Sequence, residues 1–261
     1  MKKKIIQYAL KLVLLFVITL SFFACQTLGL VAEAQDDFNA GAEIENATKF
    51  SQVEENNVRI EFASTKYALA LSKVEKALSE KNKLKKNKVY GSALTIKALC
   101  ELELGLYDEA EKTSEEAKVH LMNMNQPRDL AINESMEGLI KAKMAYDLLT
   151  KFSIYNEETT KNEITDDQYE EIKSLTKSGI IAIDTASKPL INDDILKYFA
   201  IYKISMIDVW SLAEQRANKN DLSELKDTIK KNLRGLRDEL GTESKIFIYY
   251  WNDLGKPNLD T

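Results

Sequence analysis

The chain has 261 residues, 44% of them apolar, with 36 Lys and Arg against 41 Asp and Glu for a formal charge of −5, and only three Pro, nine Gly and two Cys. So little Pro and Gly argues against a turn-dense β-sandwich and for long uninterrupted helices. Two Cys cannot build a disulfide framework, and a net acidic chain is poorly suited to nucleic acid or anionic lipid through bulk electrostatics.

In chain order, the first element is a leader. Lys2, Lys3 and Lys4 precede an apolar run, Ile5 to Phe23, interrupted only by Gln7, Tyr8, Lys11, Thr19 and Ser21. Ala24 then stands directly before Cys25, which reads residues 1–24 as a signal peptide and Cys25 as the lipidation site of a bacterial lipoprotein. Phe22 and Phe23 occupy positions where that signal prefers an aliphatic and a small residue. Two other readings stay open: ordinary cleavage after the Ala32-Glu33-Ala34 triplet, and retention of the segment as a membrane anchor. All three export the folded part to the periplasm or cell surface. Loss of Lys2, Lys3, Lys4 and Lys11 with the leader takes the formal charge from −5 to −9.

Residues 25–42 have no sustained period and read as a flexible tether, able to hold the domain about 50 Å from the membrane at about 3.3 Å per residue. From residue 43 onward the period is helical. Helices are expected at about 43–58, 60–81, 88–103, 107–122, 128–153, 165–187, 192–218, 221–240 and 243–254. Thr165 with Gln168 forms a capping-box pattern, and Asn192, Asp193 and Asp194 supply a cap and an acidic first turn. Pro189 separates two helices, and Gly241 stops the helix carrying Leu233, Leu236 and Leu240.

A repeat is visible inside this pattern. Tyr107, Ala110 and Ala117 follow the same spacing as Tyr67, Ala70 and Ala77 forty residues earlier, with Ser114 and Val74 between them. Ala98 lies on the preceding helix and Gly105 two residues before Tyr107. Small residues recurring on one face let a neighbouring helix approach closely. On these residues the stretch from Leu94 to Leu121 resembles a tetratricopeptide repeat, with Ala98, Gly105, Tyr107, Ala110 and Ala117 at the family's small, turn and aromatic positions. Ser114 stands where a large apolar residue is usual, and Pro127 comes late for the closing proline. The resemblance implies an all-α, helix-hairpin solenoid over residues 43–125, with a concave face for a protein, peptide or small ligand. An irregular helical bundle fits the same periodicity. For residues 126–261 stacked helix pairs and a bundle are equally open, with an aromatic cap at the C-terminus.

Little in the sequence carries chemistry. His120 is the sole His and has no H-E-x-x-H partner, so a His-based metal site is excluded and no metal or other cofactor is expected. Cys100 sits in an apolar run, as a core thiol. The many carboxylates interleave with Lys as solvated helix faces, and no phosphate loop, calcium loop or nucleophile elbow is present. The run Lys81, Lys83, Lys85, Lys86, Lys88 has no interleaved aromatics and reads as a solvated loop, without nucleic-acid binding. The block Ile246, Phe247, Ile248, Tyr249, Tyr250, Trp251 cannot be covered by one helix face. It reads as a terminal cap or as an oligomer or ligand contact.

These readings favour a lipid-anchored extracytoplasmic scaffold that binds a protein or peptide partner and is not an enzyme, with homo-oligomerisation open. The alternative is a small-ligand or accessory module of an envelope transport system, with contacts from Tyr198, Tyr202, Trp210, Phe247, Tyr249, Tyr250 and Trp251. A hydrolase would need two convergent carboxylates that sequence cannot place.

Overall fold

The computed structural model describes residues 26–45, 56–122, 124–155, 164–190, 193–219 and 223–259. Every regular element among them is helical. α1 covers residues 26–45. It is followed by α2 Asn56–Leu78, α3 Lys81–Lys86, α4 Tyr90–Glu103, α5 Tyr107–Leu121, α6 Pro127–Glu134 and α7 Met136–Tyr155. α8 Asp166–Ser187, α9 Ile195–Arg216, α10 Ser223–Leu240 and α11 Lys245–Asp253 complete the chain. Successive helices pack as adjacent pairs: α4 on α5, α7 on α8, α9 on α10. The result is an all-α, repeat-like array.

The local signals explain most boundaries. The Thr165 side chain accepts from the Gln168 backbone N–H while Gln168 returns a bond to the Thr165 N–H, completing the capping box. Gly105 and Gly241 take positive φ (76° and 81°), a conformation glycine adopts without a Cβ penalty, and they end α4 and α10. α9 begins at Ile195, whose N–H is accepted by Asp193 Oδ1 at 3.0 Å; Asn192 lies outside the described residues.

Three expectations are corrected. Residues 26–45 form a helix with a buried side, not a tether: Ala34 is fully buried, and Asp37 holds Lys66 at 3.1 Å and Lys73 at 2.7 Å on α2. Periodicity was hard to see there because the buried positions, Thr27, Ala34, Asp37 and Gly41, are small or polar. Of the helix expected over 43–58, residues 43–45 and 56–58 are helical and 46–55 lie outside the described residues. The lysine run is not all loop, since α3 forms within it and buries Leu84. Finally, the helix expected over 128–153 is two helices jointed at Ser135, whose hydroxyl donates to the Ile132 carbonyl at 2.8 Å.

The repeat positions pack as the spacing demands. Ala70, Val74 and Ala77 on α2 are buried, as are Ala98 on α4 and Ala110 and Ala117 on α5. The copies differ at the tyrosine: Tyr107 opens α5, whereas Tyr67 lies in the middle of α2 against the Phe38 ring at 5.4 Å. Ser114 replaces apolar packing with a hydrogen bond to the Asn133 carbonyl at 3.0 Å, and Asn133 Nδ2 donates to Thr95 Oγ1 at 2.7 Å. This buried Thr95–Asn133–Ser114 bridge docks α6 onto both α4 and α5.

Two apolar clusters fill the interior. One joins Ala34, Val74, Leu84, Leu94, Cys100, Ala117 and Leu121. The other runs from Ala98, Leu102 and Ala110 through Met136, Ile172, Ile204 and Trp210 to Tyr250 and Leu259. Between α7 and α8 the backbones nearly touch: a Cβ added at Gly138 would lie 2.7 Å from the Gly179 carbonyl oxygen. Only glycine permits that approach.

Candidate functional site

Five helices bring a polar cluster together where a solenoid needs only apolar packing. Lys143 on α7 lies at its centre, 2.5 Å from Glu103 Oε2 on α4 and 3.4 Å from Glu45 Oε1 on α1. Tyr67 on α2 donates its hydroxyl to Glu45 Oε2 at 2.7 Å, and Tyr202 on α9 donates to Glu103 Oε1. Beside them Tyr107 donates to Asp147 Oδ2 at 2.6 Å. One turn before Tyr202 on α9, Tyr198 is exposed. The Glu103 side chain is 6% exposed and that of Lys143 24%, while Glu45 keeps 42%, so the cluster is sealed at Glu103 and meets solvent at Glu45.

The electrostatics follow from this geometry. Burial opposes the charge on Lys143, but Glu103 and Glu45 more than reverse that effect and hold its ammonium above the ordinary lysine range. Burial, reinforced by the same two carboxylates, pushes the Tyr67 and Tyr202 phenols well above their ordinary value of 10.0, so both stay protonated donors. Among the described residues, two carboxylates of the cluster face one ammonium. The cluster presents carboxylate acceptors, phenol rings and a fixed cation.

Of the residues singled out from sequence, the structure brings Tyr67, Tyr107, Tyr198 and Tyr202 to this region. Trp210 belongs elsewhere: it is 1% exposed and donates from Nε1 to Glu214 Oε1 at 3.1 Å, an oxygen that also accepts from Tyr169 at 2.6 Å. As a surface contact Trp210 is therefore corrected to a core residue. Phe247 and Tyr250 are corrected in the same way, for both are buried and Tyr250 shares a 2.6 Å hydrogen bond with Ser205 on α9. Trp251 is half-buried, donating to the Pro257 carbonyl at 3.2 Å, and only Ile248 and Tyr249 keep a substantial outward face. The aromatic block thus closes the end of the second apolar cluster. Cys25 lies outside the described residues.

The chain matches no protein-family model, no curated protein and no solved structure. No group of three or more His, Cys, Asp or Glu among the described residues could hold a metal ion. Cys100 is buried, and that burial, with Glu101 and Glu103 nearby, pushes its thiol up to about 12. His120 sets its ring edge-on to Tyr90 at 4.8 Å, and burial followed by the Lys85 charge lowers its pKa.

Glu45, Glu103 and Lys143 escaped sequence reading. Tyr202 meets Glu103 across 99 residues and Lys143 meets Glu45 across 98. No local spacing encodes such pairs, and each residue alone looks like part of a solvated helix face.

Proposed function

We propose that the protein is a lipid-anchored, extracytoplasmic helical-repeat scaffold that binds a protein or peptide partner over the face carrying Glu45, Lys143, Tyr198 and Tyr202. The single observation behind this reading is the five-helix polar cluster. A buried ion pair is often no more stabilising than apolar residues of the same volume, so a fold that needed only packing would gain nothing by keeping it. An acidic, tyrosine-rich face suits a partner segment bearing Lys or Arg, through charge-assisted hydrogen bonds and cation–π contact. Alongside it, the accessory role in a transport system uses the same face for a small cationic ligand, and Tyr202 beside Glu103 favours it.

Anchoring at Cys25 draws support from α1. Cleavage after Ala34 would cut the helix at a fully buried residue and remove its first half from the cluster it shares with Ala70 and Val74. No helix among the described residues is long and apolar enough to cross a membrane.

Photo-crosslinking in the intact envelope tests the binding reading. Benzoylphenylalanine in place of Tyr198 is expected to give an adduct of discrete mass, weakened by Tyr202→Phe and absent when the probe replaces the exposed Ile181. A reproducibly empty result at Tyr198 defeats the scaffold; an adduct of metabolite size moves the assignment to the transport role. Intact mass of the membrane-extracted chain should correspond to acylated Cys25, and a start at Gln35 or a retained leader would refute that anchor.

A further inference from the structure

The lysine run gains a meaning from its position. Glu33 on α1 pairs with Lys73 on α2 at 3.3 Å, and Phe38 lies against Tyr67, so the two helices run antiparallel. Following α1 back at 1.5 Å per residue brings residue 26 level with about residue 80. Residue 26, next to Cys25 in sequence, therefore lies level with the α2–α3 turn, where Lys81, Lys83, Lys85, Lys86 and Lys88 follow.

The same edge of the molecule carries the end of α5. A Cβ on Gly91 would lie 2.7 Å from Leu121 Cδ2, Lys81 reaches Glu116 at 3.3 Å, and Gln126 donates to the Lys88 carbonyl at 3.4 Å. Val119 and Met122, 66% and 69% exposed, thus lie at the same edge as the lysines, and Leu28 on α1 is partly exposed. Residues 80–88 hold five Lys against one Glu, a local charge of +4 in a chain of net −5. Acids do temper the patch: Glu116 holds Lys81, Glu80 holds Lys83 at 2.8 Å, and Glu115 holds Lys118. Lys86 and Lys88 are exposed and make no ion pair among the described residues.

We infer that this edge, formed by Lys81–Lys88, Val119 and Met122, is a membrane-apposed face that lies on an anionic lipid bilayer. It rests on the anchored reading above. The occupant is fixed by three observations together: residue 26, which directly follows the apolar leader and Cys25 in sequence, lies at this edge, the local charge opposes that of the whole molecule, and exposed apolar side chains share the edge with the cations. One lipid with one basic patch is the two-signal arrangement that holds a protein flat against a charged surface.

The test uses the full chain extracted from membranes and reconstituted into vesicles of phosphatidylglycerol with phosphatidylethanolamine, or of phosphatidylcholine alone, each with spin-labelled headgroup lipid. A fluorophore is placed by Met122→Cys, or as control by Leu106→Cys at the far end of α5, about 24 Å away at 1.5 Å per residue. Flotation of the vesicles reports the anchor separately. At least fivefold stronger quenching at Met122 than at Leu106 is expected in phosphatidylglycerol vesicles, and much less in phosphatidylcholine. Lys86→Glu with Lys88→Glu should abolish the difference, as should raised salt on the unmodified lysines. Protein that floats with equal quenching at both positions, or with quenching indifferent to lipid charge, overturns the face while leaving the anchor intact. An acidic protein as the true occupant would give that result. Protein that does not float overturns both.

Discussion

Replacing Gly138 with Ala should destabilise the protein, whereas the same change at Gly235 should stabilise it. The Cβ added at Gly138 would meet the Gly179 carbonyl oxygen at 2.7 Å, Ile183 Cγ1 at 3.0 Å and Ala182 Cβ at 3.1 Å. The nearest of these is backbone and cannot rotate away, so α7 and α8 must separate. Overpacking of this kind costs roughly 1–3 kcal/mol. Against it stands a helix-propensity gain of at most about 1 kcal/mol, smaller here because Gly138 lies in the first turn of α7. The net loss is about 1–2 kcal/mol, or about 2–8 °C in Tm for a domain of this size. Gly235 lies inside α10 with nothing within 4 Å of its would-be Cβ, so Gly235→Ala should gain about 1 kcal/mol. Urea and thermal denaturation of both variants, followed by circular dichroism, decide the matter. Equal stabilisation by the two changes would refute the close crossing of α7 and α8.

Two further outcomes follow from the polar contacts. Lys143→Met removes the cation that Glu45 and Glu103 share and should cost about 2–3 kcal/mol, below the figure for fully buried pairs because the lysine is partly solvated. Adding Glu103→Leu should recover more than half of that loss in a urea-denaturation double-mutant cycle. The second concerns acid. Hydrogen bonds from Lys73, then Lys66, hold the Asp37 carboxyl below its ordinary value of 3.8. A depressed folded pKa means that its contribution is complete above 3.8 and is lost as pH falls through the lower folded value. Amide exchange in α1 should therefore accelerate below about pH 4 before exchange in α8 does, and an Asp37→Asn chain should lose this dependence.

The sequence exposed the helical class, the small-residue spacing and the Thr165 box because each depends on residues within one or two turns. α1 was hidden because the residues it buries are small or polar, and hydrophobic periodicity cannot register Thr27, Asp37 or Gly41. The joint at Ser135 was hidden because a serine bonding back to Ile132 leaves the apolar period unbroken. The polar cluster was invisible for a third reason: its members come from five helices, and its meaning lies in their convergence. Trp210 and Tyr250 misled in the opposite direction. Large aromatics with a polar handle suit interfaces, yet here the handles find Glu214 and Ser205 inside the protein.

α4 and α5 supply side chains to both apolar clusters: Leu94, Cys100, Ala117 and Leu121 to one, Ala98, Leu102 and Ala110 to the other. In a stack whose units touch only their neighbours, each end can fray while the rest stays folded. A hairpin shared by two cores removes that freedom at its own position, because opening it strips the apolar surface of both halves at once. The central pair thereby becomes the keystone for cooperativity, and melting as one body instead of unit by unit is the expected result. A partner that gripped this hairpin would tighten helices it never touches.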